Sequence, residues 1–117
     1  VARRALEMLV VLSGCRTAQV FTFLGPRIGQ CCMQVDDSIA RAFSDELGEG
    51  VVRSEGGKSS IDIGEACAIQ LCNAGVPREN IGSVDTCTGC GDGYFSFRAS
   101  GGTCGRQMTL AVMDVRR

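Results

Sequence analysis

The stretch "IDIGEACAIQLCNAGVP", Ile61 to Pro77, carries its own start and stop signals. Asp62 offers a carboxylate to the free N–H groups of a helix start, and Glu65 follows three residues later. Gly75 suits the left-handed residue that ends a helix, and Pro77 blocks its continuation. The middle, "ACAIQLC", is apolar nearly all round. A helix of that kind needs cover on every side, so it belongs deep in the structure.

The flanking segments supply that cover. "VARRALEMLVVL" reads as a first helix, with Arg3 and Glu7 paired four residues apart and Ala5, Met8, Leu9 and Leu12 as its apolar stripe. It has no N-cap residue and reads as a helix cut off at its front. "TAQVFTFL", Thr17 to Leu24, reads as a buried strand and "GPRIGQCC" as a loop. In "DDSIARAFSDELG" the spacing predicts a second helix. Asp36 and Asp37 stand at its positive end, Ile39, Phe43 and Leu47 form its stripe, and Gly48 stops it. "VVRS" reads as a short strand and "EGGKSS" as an exposed turn. Beyond Pro77, "SVDTC", "YFSFR" and "MTLAVM" read as strands. The order is roughly α-β-α-β-α-β-β-β, an α/β layered domain without regular βαβ alternation.

The totals narrow the function. The 117 residues, 44% hydrophobic, suit one domain. A net charge of −1 favours neither nucleic acid nor an anionic membrane, and no apolar run reaches transmembrane length. There are eight cysteines and no histidine. Several cysteines fall inside regular elements of a chain with its own core pattern, which speaks for a reduced, cytoplasmic setting over a disulfide scaffold.

"CTGC", Cys87 to Cys90, is the only CxxC. A structural zinc site needs four ligands. Cys31, Cys32 and Cys104 are candidates to complete one in space, but no spacing rule unites them. Adjacent side chains such as those of Cys31 and Cys32 are expected to diverge. The cysteines therefore read mostly as buried or incidental thiols, and without His no Cys–His nucleophile pair can be built. In "RASGGTCGR" two arginines, Arg98 and Arg106, flank a Gly-rich turn. Such a turn suits an anion, though composition alone favours a plain hairpin loop.

The motifs in order resemble the laccase-domain family, also called the multicopper polyphenol oxidoreductase or YfiH-like family. The resemblance lies in "LGPRIGQCCMQVDDSIARAF", "IDIGEACAIQLCNAGV" and "CTGCGDGYFSFRASGGTCGRQMTLAVM", and it covers Leu24 to Met113. It implies a layered α/β sandwich of the cysteine-hydrolase type, of which residues 1–117 are the C-terminal portion and the N-terminal half is absent. It also implies a zinc-dependent purine nucleoside enzyme. Such an enzyme phosphorolyses adenosine, inosine, guanosine or methylthioadenosine and deaminates adenosine. The family's zinc ligands, two His and a Cys, belong to the N-terminal half; copper enters only through the older laccase name.

By the same resemblance "GPRIGQCC" is a pocket-side loop, and no residue of this chain is catalytic or a metal ligand. Arg98 and Arg106 match family arginines and are the candidate substrate-binding residues, with purine nucleoside and phosphate as partners. The family's second Arg and following Asp are replaced by Ala99 and Ser100. Two other readings stay open: a non-catalytic fragment or ligand-binding module, and a metal or redox module built on "CTGC".

Overall fold

The computed structural model describes residues 1–112. It is a mixed α/β structure. Among the described residues the helices are α1 (Ala2–Ser13), α2 (Asp37–Leu47) and α3 (Ile63–Asn73), and the strands are β1 (Thr22–Leu24), β2 (Gln34–Val35), β3 (Val52–Glu55), β4 (Lys58–Ile61) and β5 (Ile81–Ser83).

Helix α3 forms as its signals dictate. The Asp62 carboxylate accepts the Glu65 N–H at 2.9 Å. Gly75 takes a φ of 99°, and the Val76 N–H returns to the Leu71 carbonyl at 3.0 Å. No residue from Ile61 to Cys72 is exposed. Glu65 does not close a reciprocal cap; its carboxylate accepts from Arg78 at 2.7 Å.

Helix α1 packs on α3 through a different face from the one its longest side chains suggest. Leu6 is buried with Val20, Leu71 and Val76, and Ala2 and Val10 pack beside it at four-residue spacing. Met8, Leu9 and Leu12 point outward. In α2, Ala40 is buried, Phe43 and Leu47 are half-buried, and Ile39 is exposed.

The strands form two small sheets. In the antiparallel sheet β2-β4-β3, Gly56 and Gly57 both have positive φ and make the two-residue turn of the β3–β4 hairpin. The segment after that turn is strand, although Lys58, Ser59 and Ser60 carry little β signal. Ser59 and Ile61 alternate inward, and Ile61 joins Val51 among the most buried side chains. In the second sheet β1 and β5 run parallel, with Phe23 opposite Gly82.

The chain departs from expectation at three of its apolar strand candidates. Thr17–Gln19 is a 3-10 turn, so the strand is confined to Thr22–Leu24. "YFSFR" is not a strand, because among the described residues no neighbour pairs with its backbone. Phe95 and Phe97 are exposed, and Phe97 to Gly102 forms turns. Met108 to Val112 is exposed and irregular, and Met113, the end of "MTLAVM", lies outside the described residues. Among the described residues no helix is long and apolar enough to cross a membrane.

Candidate functional site

Parallel pairing of β1 and β5 sends the chain out of both strands at the same end of the sheet. The loop after β1 carries "GPRIGQCC" and the loop after β5 carries "DTCTGCGDG". They meet side by side. The Thr88 N–H donates to the Arg27 carbonyl at 2.9 Å, and the Arg27 N–H reaches the Thr86 carbonyl at 3.4 Å.

The Arg27 side chain reinforces this junction. Its guanidinium donates to the Val84 carbonyl at 3.0 Å and to the Ser83 hydroxyl at 3.1 Å, and approaches Asp85 at 3.4 Å. It lies against Gly64 in the first turn of α3, where any Cβ would collide with it.

Just beyond Arg27, four cysteines converge. The Sγ atoms of Cys31, Cys32, Cys87 and Cys90 all lie within 4.8 Å of one another. Cys31 Sγ and Cys90 Sγ are 3.6 Å apart. The divergence expected of adjacent side chains does not occur, for a local reason. The Cys32 and Met33 N–H groups both donate to the Gly29 carbonyl at 3.0 Å, which winds Gly29–Met33 into a helical turn. Successive side chains in such a turn differ by about 100° rather than 180°, so two neighbours can straddle one point. Cys104, the other candidate, is not in the cluster.

Gly29 and Gly89 let the loops approach. A Cβ on Gly29 would stand 3.1 Å from the Cys87 Cβ, and one on Gly89 would stand 2.8 Å from the Cys32 Cβ.

The sulfurs are not equivalent. Cys87 Sγ accepts the Gly29 N–H at 3.1 Å and the Gly89 N–H at 3.3 Å. Backbone donors, the Gly29 N–H foremost, stabilise its thiolate and bring its pKa down to about 6. Cys32 is pushed up to about 12, chiefly by its hydrogen bond to Cys87 and then by that to Cys90. Cys90 is also raised, first by Cys87. Of these three sulfurs, Cys87 is therefore the favoured thiolate.

A cleft of about 720 Å³ adjoins the cluster, lined by Cys31, Cys32, Gln34, Ile39, Gly89 and Arg98 among others. Arg98 enters it from the turn after Phe97, and its Nη1 donates to the Gln34 carbonyl at 2.6 Å. Arg106 lies on an exposed irregular stretch and does not line this cleft. Arg98 and Arg106 are therefore not joined by the hairpin expected between them.

The convergence of Cys31 and Cys32 on "CTGC" escaped the sequence reading. The signal was there in part: two cysteine pairs with glycine nearby, one in the loop after "TAQVFTFL" and one beginning at the end of "SVDTC". Their meeting requires β1 and β5 to be parallel neighbours, a tertiary fact.

Neither the His-and-Cys zinc set implied by the resemblance nor a blue-copper site fits this chain's residues, since both need histidine and the chain has none.

Comparison with known proteins agrees with the resemblance. A family model described as multi-copper polyphenol oxidoreductase laccase matches residues 1–114. The chain is 33% identical over 98 residues to the purine nucleoside phosphorylase YlmD of Geobacillus stearothermophilus, covering 80% of this chain and 36% of that protein. It is 35% identical over 101 residues to the adenosine deaminase RL5 of an unknown prokaryotic organism, covering 82% of this chain and 38% of that one. The crystal structure of YlmD from Geobacillus stearothermophilus superimposes with a TM-score of 0.77 at 29% identity, covering 89% of this chain and 40% of that chain. The chain thus spans well under half the length of these relatives.

Proposed function

Because the chain belongs to the multi-copper polyphenol oxidoreductase laccase family, we propose that it is the C-terminal portion of a purine nucleoside enzyme. The reaction is cleavage of the N-glycosidic bond by phosphate, with adenosine, inosine, guanosine or methylthioadenosine as substrates, together with deamination of adenosine. The observation that carries this reading is the pair of relatives named for those two activities, each aligned over 80% or more of this chain.

In this proposal the described residues form one wall of the substrate pocket. Arg98 projects into the cleft beside the "GPRIGQCC" loop. A guanidinium offers five donors in a planar fork, so its bond to Gln34 leaves others for phosphate or ribose oxygens. Arg106 joins it as a second anion contact by family resemblance. The zinc ion of the complete enzyme, held by residues outside this chain, would supply Lewis-acid chemistry when bound. A reducing, cytoplasmic setting accords with all eight cysteines being unpaired.

The test is an assay of the complete protein that carries this sequence. Inosine and adenosine are offered at varied phosphate, and release of base and of ammonia is followed. Phosphate-dependent release of base is expected. A folded, metal-replete protein that releases neither base nor ammonia would overturn the reading.

A further inference from the structure

Cys31 and Cys32 line the same cleft as Arg98, but the nucleoside reading gives the four cysteines no role, and the geometry of their cluster carries a separate conclusion. We propose that Cys31, Cys32, Cys87 and Cys90 form a tetrahedral all-thiolate site for a single zinc ion, which staples the loop after β1 to the loop after β5.

The dimensions fit. Zn–S bonds of about 2.3 Å place tetrahedral sulfurs about 3.8 Å apart. The four sulfurs already lie within 4.8 Å of one another, with one pair at 3.6 Å. Closing the site therefore needs side-chain adjustments of an ångström or less. Four soft thiolates in tetrahedral array select zinc over hard cations such as magnesium or calcium.

The surroundings are built for a thiolate–metal centre. Two backbone N–H groups, from Gly29 and Gly89, point at Cys87 Sγ and take up sulfur charge. Gly29 and Gly89 also keep the space between the loops free of side chains. Arg98 lines the cleft that touches Cys31 and Cys32 and offsets negative charge there. Cys31 and Cys90 are exposed, which leaves the ion a path of entry. On binding, four Zn–S bonds form and each protonated sulfur releases its proton to solvent.

The site also answers a mechanical need. β1 and β5 pair over three residues, too few to fix two long loops. Arg27 ties the loops at their base; a zinc ion between the two cysteine pairs would tie them at their tips.

The experiment uses the complete protein that carries this sequence, reduced, equilibrated with zinc and passed through a chelating column, with metal counted per chain. One zinc more per chain is expected in the parent than in the Cys31→Ser/Cys90→Ser double variant, and cobalt at the site should show the intense visible bands of tetrahedral thiolate coordination. Cys87→Ser and Cys90→Ser should each weaken zinc binding about a hundredfold or more through loss of one of four ligands. Cys104→Ser and Cys67→Ser should bind as the parent does, and matching far-UV circular dichroism would exclude global unfolding as the cause of any loss. The proposal is overturned if the parent and the double variant retain the same amount of zinc, or if Cys31 and Cys90 of the parent form a disulfide that persists under reductant in excess zinc.

Discussion

Gly89 faces Cys32 so closely that a Cβ added to Gly89 would stand 2.8 Å from the Cys32 Cβ and 3.0 Å from its sulfur. The contact is between the two loops, so a methyl group there drives them apart. Gly89→Ala is expected to cost about 1–3 kcal/mol, as overpacking does. It should also speed release of zinc to a chelator. Gly50→Ala is the control, since nothing lies within 4 Å of that position and its φ is not positive. Equal melting and zinc-release rates for the two variants would contradict the geometry.

Arg27 and Gly64 form the second tie, and they should behave as one unit. Arg27→Ala removes the bonds to Ser83 and Val84. Gly64→Ala displaces the same guanidinium, because its Cβ would occupy that place. Each should cost about 1–3 kcal/mol, mostly from carbonyls left without donors. Asp85 contributes little, being 87% exposed. In a denaturant double-mutant cycle the second substitution should add almost nothing to the first. Additive losses would mean that the two residues act separately.

The helix termini show what the sequence reveals well. Capping by Asp62, the helix stops at Gly48 and Gly75 and the Gly56-Gly57 turn are local chemistry and form as read, whereas Glu65 leaves the capping box for Arg78 and the turn gives way to strand at Lys58. In α1 the apolar pattern points to the wrong face, because Met8, Leu9 and Leu12 outweigh Ala2 and Val10 in apolar area, while only the partner helix decides which face is buried. "YFSFR" alternates as a strand should, but a strand also needs a neighbour to pair with. The cysteine cluster depended on which strands lie side by side, and no spacing of 31, 32, 87 and 90 records that. Arg98 was legible as a candidate from its motif; its position beside the cysteine loop was not.

Two aspartates before helices offer a contrast in capping. Asp62 makes its cap hydrogen bond to Glu65, whereas Asp36, at the start of α2, makes no side-chain cap bond. Asp62→Ala should therefore cost about 1 kcal/mol. Asp36→Ala should cost less, with only the weaker interaction of its charge with the helix end lost. Chemical denaturation of both variants checks the order, and the reverse order would show that the Asp62 bond contributes little.

The exposed apolar side chains predict how the isolated chain behaves. Phe21 is 79% and Phe23 65% exposed, on or next to β1, and Phe95 and Phe97 are more than half exposed. The radius of gyration is 16.1 Å, against about 13 Å for a compact chain of this length. On the proposal that these residues are part of a longer domain, the remainder covers them. Alone, the 117-residue chain should self-associate and bind hydrophobic dyes. Light scattering across a concentration series measures this. A monomer that melts cooperatively and binds no dye would mean that these surfaces need no cover.

The arginines bear on the proposed activity most directly. Arg98 lines the cleft and spends one N–H on the Gln34 carbonyl. Its remaining donors face a space where a phosphate or ribose oxygen can sit. Losing one charge-assisted contact costs about 1.5–3 kcal/mol. In the complete protein, Arg98→Ala should lower kcat/KM with inosine by about ten- to a hundredfold. If the contact is to phosphate, the loss should shrink as phosphate is raised. Arg98→Lys should recover part of the efficiency, because it keeps the charge but not the fork. Arg106→Ala should act in the same direction if the rest of the protein folds its exposed stretch toward the cleft. A purely structural role for Arg98, through Gln34 alone, would lower the melting temperature and leave the phosphate dependence untouched. Normal efficiency and normal phosphate dependence in both alanine variants would remove the two arginines from the site.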